Sequence, residues 1–343
     1  MIYYMEKEIF QQKECLINSY QKNVKILEKI AKELKEKEIK SVIFAARGSS
    51  DNSGVLFKYL FETICEIPVS FAAPSVITLY KSKLDYSSSL VIGVSQSGQA
   101  QDVLAIIEEA NRQNAVTLTI TNYEESPLAK SGSYHLFLDT GEEKSVAATK
   151  TFMTQMYLLG LLVGYIDSNQ ELIDALVELP KKLNLPEDVL SHIKEEAKKA
   201  KNIESAFILG RGYQYAIVKE FALKMQETTY IQALSYSIAD FYHGPFAMIS
   251  EDSYAVVIMP EDESYQDGEK MLNALNKAGA EVLAITTNPE LETKNKIVIP
   301  DVSKYQAPFV NIFVGQYFCL NLAIARGLNP DEPRGLRKVT ITR

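Results

Sequence analysis

The sequence predicts an α/β protein made of two doubly wound domains that arose by internal duplication. Short apolar runs, typical of buried parallel strands, alternate with amphipathic segments typical of helices. The runs of the first half recur about 164–165 residues later in the second half. The length of 343 residues suits two domains of about 150 residues each.

The elements follow one another in the order that this fold requires. The first 38 residues predict two charged helical segments with one apolar face. The predicted strands of the first half are residues 41–46, 90–94, 116–121 and 135–140. Those of the second half are residues 205–212, 255–260, 282–287 and 297–300. Each half ends in a long apolar helix, residues 151–166 and 308–326.

These elements divide the chain into five segments. We expect an N-terminal helical segment, a first α/β domain, a helical connection, a second α/β domain and a C-terminal tail that folds over the surface or forms a lid. Their boundaries are 1–38, 39–168, 169–203, 204–328 and 329–343.

Composition and charge exclude several classes of protein. The net charge is 36 − 44 = −8, which argues against nucleic-acid binding, because that needs a basic surface, and against an anionic membrane surface. The N-terminus lacks the basic start and apolar core of a signal peptide. The apolar helix of residues 153–166 is too short to cross a bilayer comfortably. We therefore expect a cytoplasmic protein with no nucleic-acid or membrane partner.

The cysteines, histidines and glycines argue against metals and nucleotide cofactors. Three dispersed cysteines without a CxxC pair fit a reducing compartment, and three histidines do not make a metal site. Neither GxGxxG nor GxxxxGK[ST] follows a predicted strand. The sequence therefore predicts no metal and no cofactor.

Two hydroxyl-rich loops, residues 48–50 and 95–98, follow the first two predicted strands. Ligands of open parallel sheets bind at this end of the strands, where helix N-termini leave backbone N–H groups unpaired. Serine hydroxyls and a glutamine amide would complete a phosphate cradle. Helix capping would explain one such loop, but two neighbouring loops favour phosphate binding, and a compact sugar phosphate fits better than a dinucleotide.

The second half carries a different set of polar residues. Glu220, Lys224 and Glu227 lie at i, i+4 and i+7, on one face of a predicted helix. A solvated row of ion pairs has the same spacing, but the apolar residues among 221–225 indicate burial, where a carboxylate can be tuned for proton transfer. His243 stands in an HGP turn. A lone histidine is usually structural, although this turn predicts exposure.

Seven motifs, in this order and spacing, resemble the sugar isomerase (SIS) family. The resemblance runs from Met5 to Lys338 and is to the double-SIS isomerase half of glucosamine-6-phosphate synthase. It implies two tandem flavodoxin-like, Rossmann-like SIS domains. The motifs are ARGSSDNSG, SQSG, SVAATKTF, LGRGYQY, KEFALKMQE, DFYHGP and DEPRGLRK.

The resemblance also implies the roles of individual residues. Glu227 would shuttle a proton, His243 would open the sugar ring from the neighbouring subunit of a homodimer, and Lys338 would form an imine with the open-chain ketose. Glu220 and Lys224 would support Glu227. The sequence lacks the synthase's hydroxyls at Ala100 and Ala148, so its phosphate loop has fewer donors. The implied sugar-phosphate site consists of Gly48, Ser49, Ser50, Ser95, Gln96, Ser97, Val146 and Ala147.

The direction of the reaction follows from the start of the sequence. The synthase has a glutaminase domain with an N-terminal cysteine before its isomerase half, whereas here the SIS pattern begins close to Met1 and the first cysteine is Cys15. We therefore expect conversion of glucosamine 6-phosphate to fructose 6-phosphate and ammonia, as in the SIS-type glucosamine-6-phosphate deaminases. Three alternatives stay open: a fructosamine-6-phosphate deglycase, a galactosamine-6-phosphate deaminase/isomerase, and a non-catalytic sugar-phosphate sensor.

Overall fold

The computed structural model describes residues 3–338 and contains two five-stranded parallel sheets with surrounding helices. This confirms the predicted fold class. The chain groups into two compact units. The first unit comprises residues 11–143, 150–180 and 337–338, and the second comprises residues 3–10, 144–149 and 181–336.

The sheet of the first unit has the order β2-β1-β3-β4-β5, with all neighbours parallel. Its central strands β3 and β4 are buried throughout, which explains their continuous apolar or threonine-rich sequences. The strand order reverses at the β1–β3 boundary, the switch point at which ligands bind in such sheets. The strands are β1 (Ser41–Ala45), β2 (Val69–Phe71), β3 (Ser89–Val94), β4 (Val116–Thr121) and β5 (Tyr134–Phe137).

The N-terminal helix differs from the sequence-based prediction, whereas the helical connection was expected. A single helix of 33 residues, α1, replaces the two predicted segments, because nothing in its sequence breaks the apolar face. Within the predicted connection, Pro180 lies inside a helix. The helices are α1 (Tyr4–Glu36), α2 (Ser49–Ile64), α3 (Pro74–Thr78), α4 (Gln101–Arg112), α5 (Pro127–Ser131), α6 (Lys150–Asp167) and α7 (Gln170–Lys182).

The second unit repeats the same topology. Its sheet has the order β10-β9-β8-β6-β7, which matches the first sheet strand for strand. Its strands are β6 (Ser205–Gly210), β7 (Gln232–Ser237), β8 (Tyr254–Ile258), β9 (Glu281–Thr286) and β10 (Asn295–Val298). Its helices are α8 (Glu187–Lys199), α9 (Tyr215–Thr229), α10 (Ile238–Tyr242), α11 (Tyr265–Lys277) and α12 (Ala307–Ala325).

Helix α12 is long and apolar enough to cross a membrane by length and composition alone. However, 89% of it is buried inside the fold. This burial is typical of the core helix of a soluble protein, so the helix is weak evidence for a membrane span.

Candidate functional site

The two serine-rich loops lie where the topology of the first sheet predicts a ligand. Residues 48–50 follow β1, residues 95–98 follow β3, and these strands are neighbours at the switch point. The N-cap of α2 is Gly48 and that of α4 is Ala100, and neither makes a side-chain capping bond. The serines are therefore not the cap residues of these helices, and the capping interpretation does not account for them.

The geometry of the second loop leaves hydroxyl protons available. The Ser95 Oγ accepts a hydrogen bond from the Gly98 backbone N–H at 3.2 Å, and the Ser97 Oγ accepts one from the Gln99 N–H at 3.3 Å. Because a hydroxyl that accepts a bond still has its own proton to donate, both groups remain able to donate to an anion. Gly98 permits this turn with φ 66°, a conformation that favours glycine.

A buried glutamine orients the serine of the first loop. The Gln155 Nε2 donates to the Ser50 Oγ at 3.0 Å, so the Ser50 proton is also left for a ligand. Gln155 is 1% exposed, and within the described part of the chain its Oε1 has no hydrogen-bond partner. Gln155 is not among the site residues predicted from the sequence. The available signal was a glutamine within the mostly apolar α6.

A cavity of about 290 Å³ lies beside the second loop, in the first unit. At its wall, the Lys338 Nζ lies 2.5 Å from the Glu143 Oε2. Glu143 is buried and also accepts hydrogen bonds from the Thr151 N–H at 3.1 Å and hydroxyl at 2.8 Å. Three of the residues that line this cavity, Gln96, Ser97 and Lys338, were predicted from the sequence, and the other four were not. The cavity is lined by Gln96, Ser97, Gln99, Tyr123, Glu142, Glu143 and Lys338.

The predicted carboxylate–lysine–carboxylate row lies on α9, in the second unit. The Lys224 Nζ is 3.2 Å from the Glu220 Oε1 and 2.5 Å from the Glu227 Oε2. The side chains of Glu220 and Lys224 are fully buried, while that of Glu227 is 21% exposed. Burial alone would lower the pKa of Lys224, but the two carboxylates outweigh it and raise that pKa. The row is therefore buried, not solvated, and only Glu227 reaches solvent.

The other predicted residues also belong to the second unit. His243 follows α10 and is exposed. Ala147 is buried, and the Val146 N–H donates to the Asp331 carbonyl at 3.3 Å. The Asp331 carboxylate accepts from the backbone N–H groups of residues 4 and 5, at the start of α1, where a negative charge is favourable. The predicted tail is thus anchored here, and its residues 339–343 lie outside the described range.

The predicted residues therefore divide between the two units. The serine-rich loops, Gln96 and Lys338 belong to the first, and the α9 row, His243, Val146 and Ala147 belong to the second. Within residues 3–338 no group of three or more histidine, cysteine, aspartate or glutamate residues has an arrangement that could hold a metal ion.

Comparison with known proteins defines the class. The SIS domain model matches residues 35–164 and 199–326, so the chain belongs to the SIS family and carries two SIS domains. A glutamine–fructose-6-phosphate aminotransferase (isomerizing) from Thermotoga maritima is 32% identical over 98% of this chain and 58% of its own length. The chain is thus a double-SIS protein of the phosphosugar isomerase family, related to the isomerase part of these aminotransferases. It spans about 58% of the length of such relatives.

Solved structures agree with this assignment. The C-terminal domain of glucosamine-fructose-6-phosphate aminotransferase from Francisella tularensis superimposes with a TM-score of 0.88 and 27% identity, over 97% of this chain and 98% of that domain. A glucosamine-6-phosphate deaminase from Thermotoga maritima matches with a TM-score of 0.78 over 99% of this chain and 100% of that one. At 22% identity, the deaminase shows a shared fold only.

Proposed function

We propose that the protein converts glucosamine 6-phosphate and water into fructose 6-phosphate and ammonia. One observation carries the proposal: the cavity of the first unit combines two kinds of polar group. Gln96 and Ser97 offer neutral donors suited to a phosphate, while the exposed Glu142 offers a carboxylate suited to the ammonium of an amino sugar. A volume of about 290 Å³ suits a small ligand.

The proposed reaction begins with docking of the phosphate on Ser50, Ser95 and Ser97. His243 assists ring opening. Glu227 then takes the proton from C2 of the open-chain amino aldose and returns it to C1, which leaves an imine at C2. Water adds to this imine, ammonia departs, and fructose 6-phosphate remains. Lys224, whose pKa is raised, stays protonated and so holds a positive charge 2.5 Å from the Glu227 Oε2.

Two features complete the proposal. Lys338 either forms an imine with the ketose or holds the tail at the cavity through Glu143. We also propose a cytoplasmic homodimer in which His243 serves the neighbouring subunit. Exposure of His243 together with the large apolar side chains of Tyr242 and Met248 supports an apolar contact face at this turn.

The test is to measure ammonia and fructose 6-phosphate released from glucosamine 6-phosphate by the purified protein. We expect both in equal amounts. Glu227→Gln should bind fructose 6-phosphate as tightly as the parent and lose turnover by at least about a hundredfold, the usual range for a general acid–base residue. Glu290→Gln, a change at an exposed surface glutamate, serves as the matched control.

The other outcomes refute the role of Glu227 or support one of the three alternatives. Full turnover by the Glu227→Gln variant would refute the role of Glu227. Activity on galactosamine 6-phosphate or fructosamine 6-phosphate alone would support the corresponding deaminase or deglycase. Tight binding of sugar phosphates without any turnover would support the sensor.

A further inference from the structure

An arginine at the switch point of the first sheet uses only one edge of its guanidinium group for hydrogen bonding. Arg47 lies between β1 and α2, and its Nε donates to the Asp102 Oδ2 at 2.7 Å. Asp102 stands in the first turn of α4 and is 1% exposed, whereas the Arg47 side chain is 53% exposed. Within residues 3–338 the guanidinium makes no other hydrogen bond or ion pair. Its two terminal nitrogens therefore keep all their donors.

The position of this guanidinium matches a deficiency of the phosphate loops. The loops contribute hydroxyl, amide and backbone donors, all of them neutral, and Ala100 contributes none. A sugar phosphate carries up to two negative charges, in a chain whose net charge is −8. Arg47 immediately precedes the loop of residues 48–50, and its partner Asp102 follows the loop of residues 95–98. A planar guanidinium fork matches phosphate oxygens, and such charge-assisted bonds are about twice as strong as neutral ones.

We propose that Arg47 binds the phosphate group of the substrate and that Asp102 positions it for this task. The proposal rests on the proposed function, and it adds a cationic residue to a site that the sequence predicted as neutral. Asp102 already holds the Nε edge of the guanidinium in place. Binding of a phosphate to the opposite edge would therefore cost little additional side-chain entropy.

The second unit contains the same ion pair without the serine-rich loops. Arg211 follows β6, and its Nη1 lies 2.5 Å from the Oδ2 of Asp267, in the first turn of α11. The offsets between the two pairs are 211 − 47 = 164 and 267 − 102 = 165 residues. Here, however, the loop after β8 contains the acidic run of residues 261–263. This second pair thus connects the end of β6 to the first turn of α11 beside acidic residues, where a phosphate would be repelled. It therefore serves as an internal control for the purely structural effect of such an ion pair.

The experiment compares two double variants of the full chain, Arg47→Gln/Asp102→Asn and Arg211→Gln/Asp267→Asn. Each removes both charges, so no buried carboxylate is left unpaired. Calorimetry measures the binding of inorganic phosphate and of fructose 6-phosphate, and thermal unfolding checks that each variant is folded. We expect the first variant to bind both ligands at least about tenfold more weakly, the loss typical of a hydrogen-bonded charge. The second should change affinity by less than about twofold.

Two results would overturn this assignment while leaving the proposed function intact. One is an unchanged phosphate affinity in the first variant. The other is an equal loss in both variants, which would make both pairs purely structural. A third variant, the single change Arg47→Lys, should retain part of the affinity, because it keeps the charge but not the fork. A parent protein that binds no sugar phosphate would instead refute the proposed function itself.

Discussion

Replacing Lys224 by leucine should strand a buried charge. The change removes the ammonium 3.2 Å from the fully buried Glu220 carboxylate, and removing one partner of a buried ion pair typically costs about 3–5 kcal/mol of unfolding free energy. Protonation of Glu220 limits this loss. At pH 7 it costs about 3.7 kcal/mol, because the ordinary glutamate pKa is about 4.3 and each pH unit is worth about 1.4 kcal/mol. At pH 5 the same limit is only about 1 kcal/mol.

The variant should therefore regain stability, relative to the parent, as the pH falls from 7 to 5. The sign follows from linkage, since its folded state takes up a proton that the unfolded state lacks. In the parent, the pKa of Lys224 is raised in the folded state. The contribution of Lys224 to the free energy of unfolding is therefore fully present below the ordinary lysine pKa of about 10.4, and it is lost as the pH rises through the folded-state pKa. Urea unfolding followed by circular dichroism at pH 5 and 7 measures the effect of Glu220 protonation.

The chain itself supplies the control for this prediction. The positions 164 residues earlier, on α2, hold Leu56 and Leu60 in place of Glu220 and Lys224, and both leucines are buried. The double variant Glu220→Leu/Lys224→Leu copies that pair and should recover the stability that Lys224→Leu loses at pH 7. A single variant as stable as the parent at pH 7, or a double variant no more stable than the single one, would refute the reasoning.

Two further predictions concern the phosphate loops. Gly98→Ala would place a Cβ 2.0 Å from the Ser126 Oγ at φ 66°, so it should lower the urea midpoint clearly more than Gly141→Ala, whose φ is 65° but whose Cβ would meet nothing within 4 Å. Equal losses would mean that Ser126 moves aside. Gln155→Leu removes the donor to the Ser50 Oγ and should weaken phosphate binding about fivefold, the value of one ordinary hydrogen bond. Calorimetry showing unchanged affinity in a folded variant would exclude Gln155 as a positioning residue.

The sequence predicted all six central strands but missed two of the four edge strands. Strands β3 and β4 are buried on both faces, so burial alone produces their continuous runs. The edge strands β2 and β7 were not predicted. Strand β2 has three residues, two of them exposed, and β7 is the polar sequence QALSYS with mixed burial. An edge strand packs on fewer neighbours, so its sequence carries little hydrophobic signal.

Some residues of the candidate site could be predicted from local sequence patterns, and others depend on contacts between distant parts of the chain. The serine-rich loops and the α9 row are local patterns, and their positions could be predicted from strand ends and helix spacing. Glu143 and Gln155 could not be predicted, because their partners Lys338 and Ser50 lie 195 and 105 residues away in the chain. Such contacts are set by tertiary packing, which no spacing rule describes.

The internal duplication separates what the fold requires from what the chemistry requires. Both halves keep the arginine–aspartate pair at a strand end, but only the first has serine-rich loops, and only the second has fully buried charges in its equivalent helix. On α2 those helix positions are leucines, which shows that this architecture packs well without ions. A buried ion pair is often no more stabilising than apolar residues of similar size, and can be less so. The buried charges on α9 are therefore better explained by the proposed catalytic role of this helix than by stability.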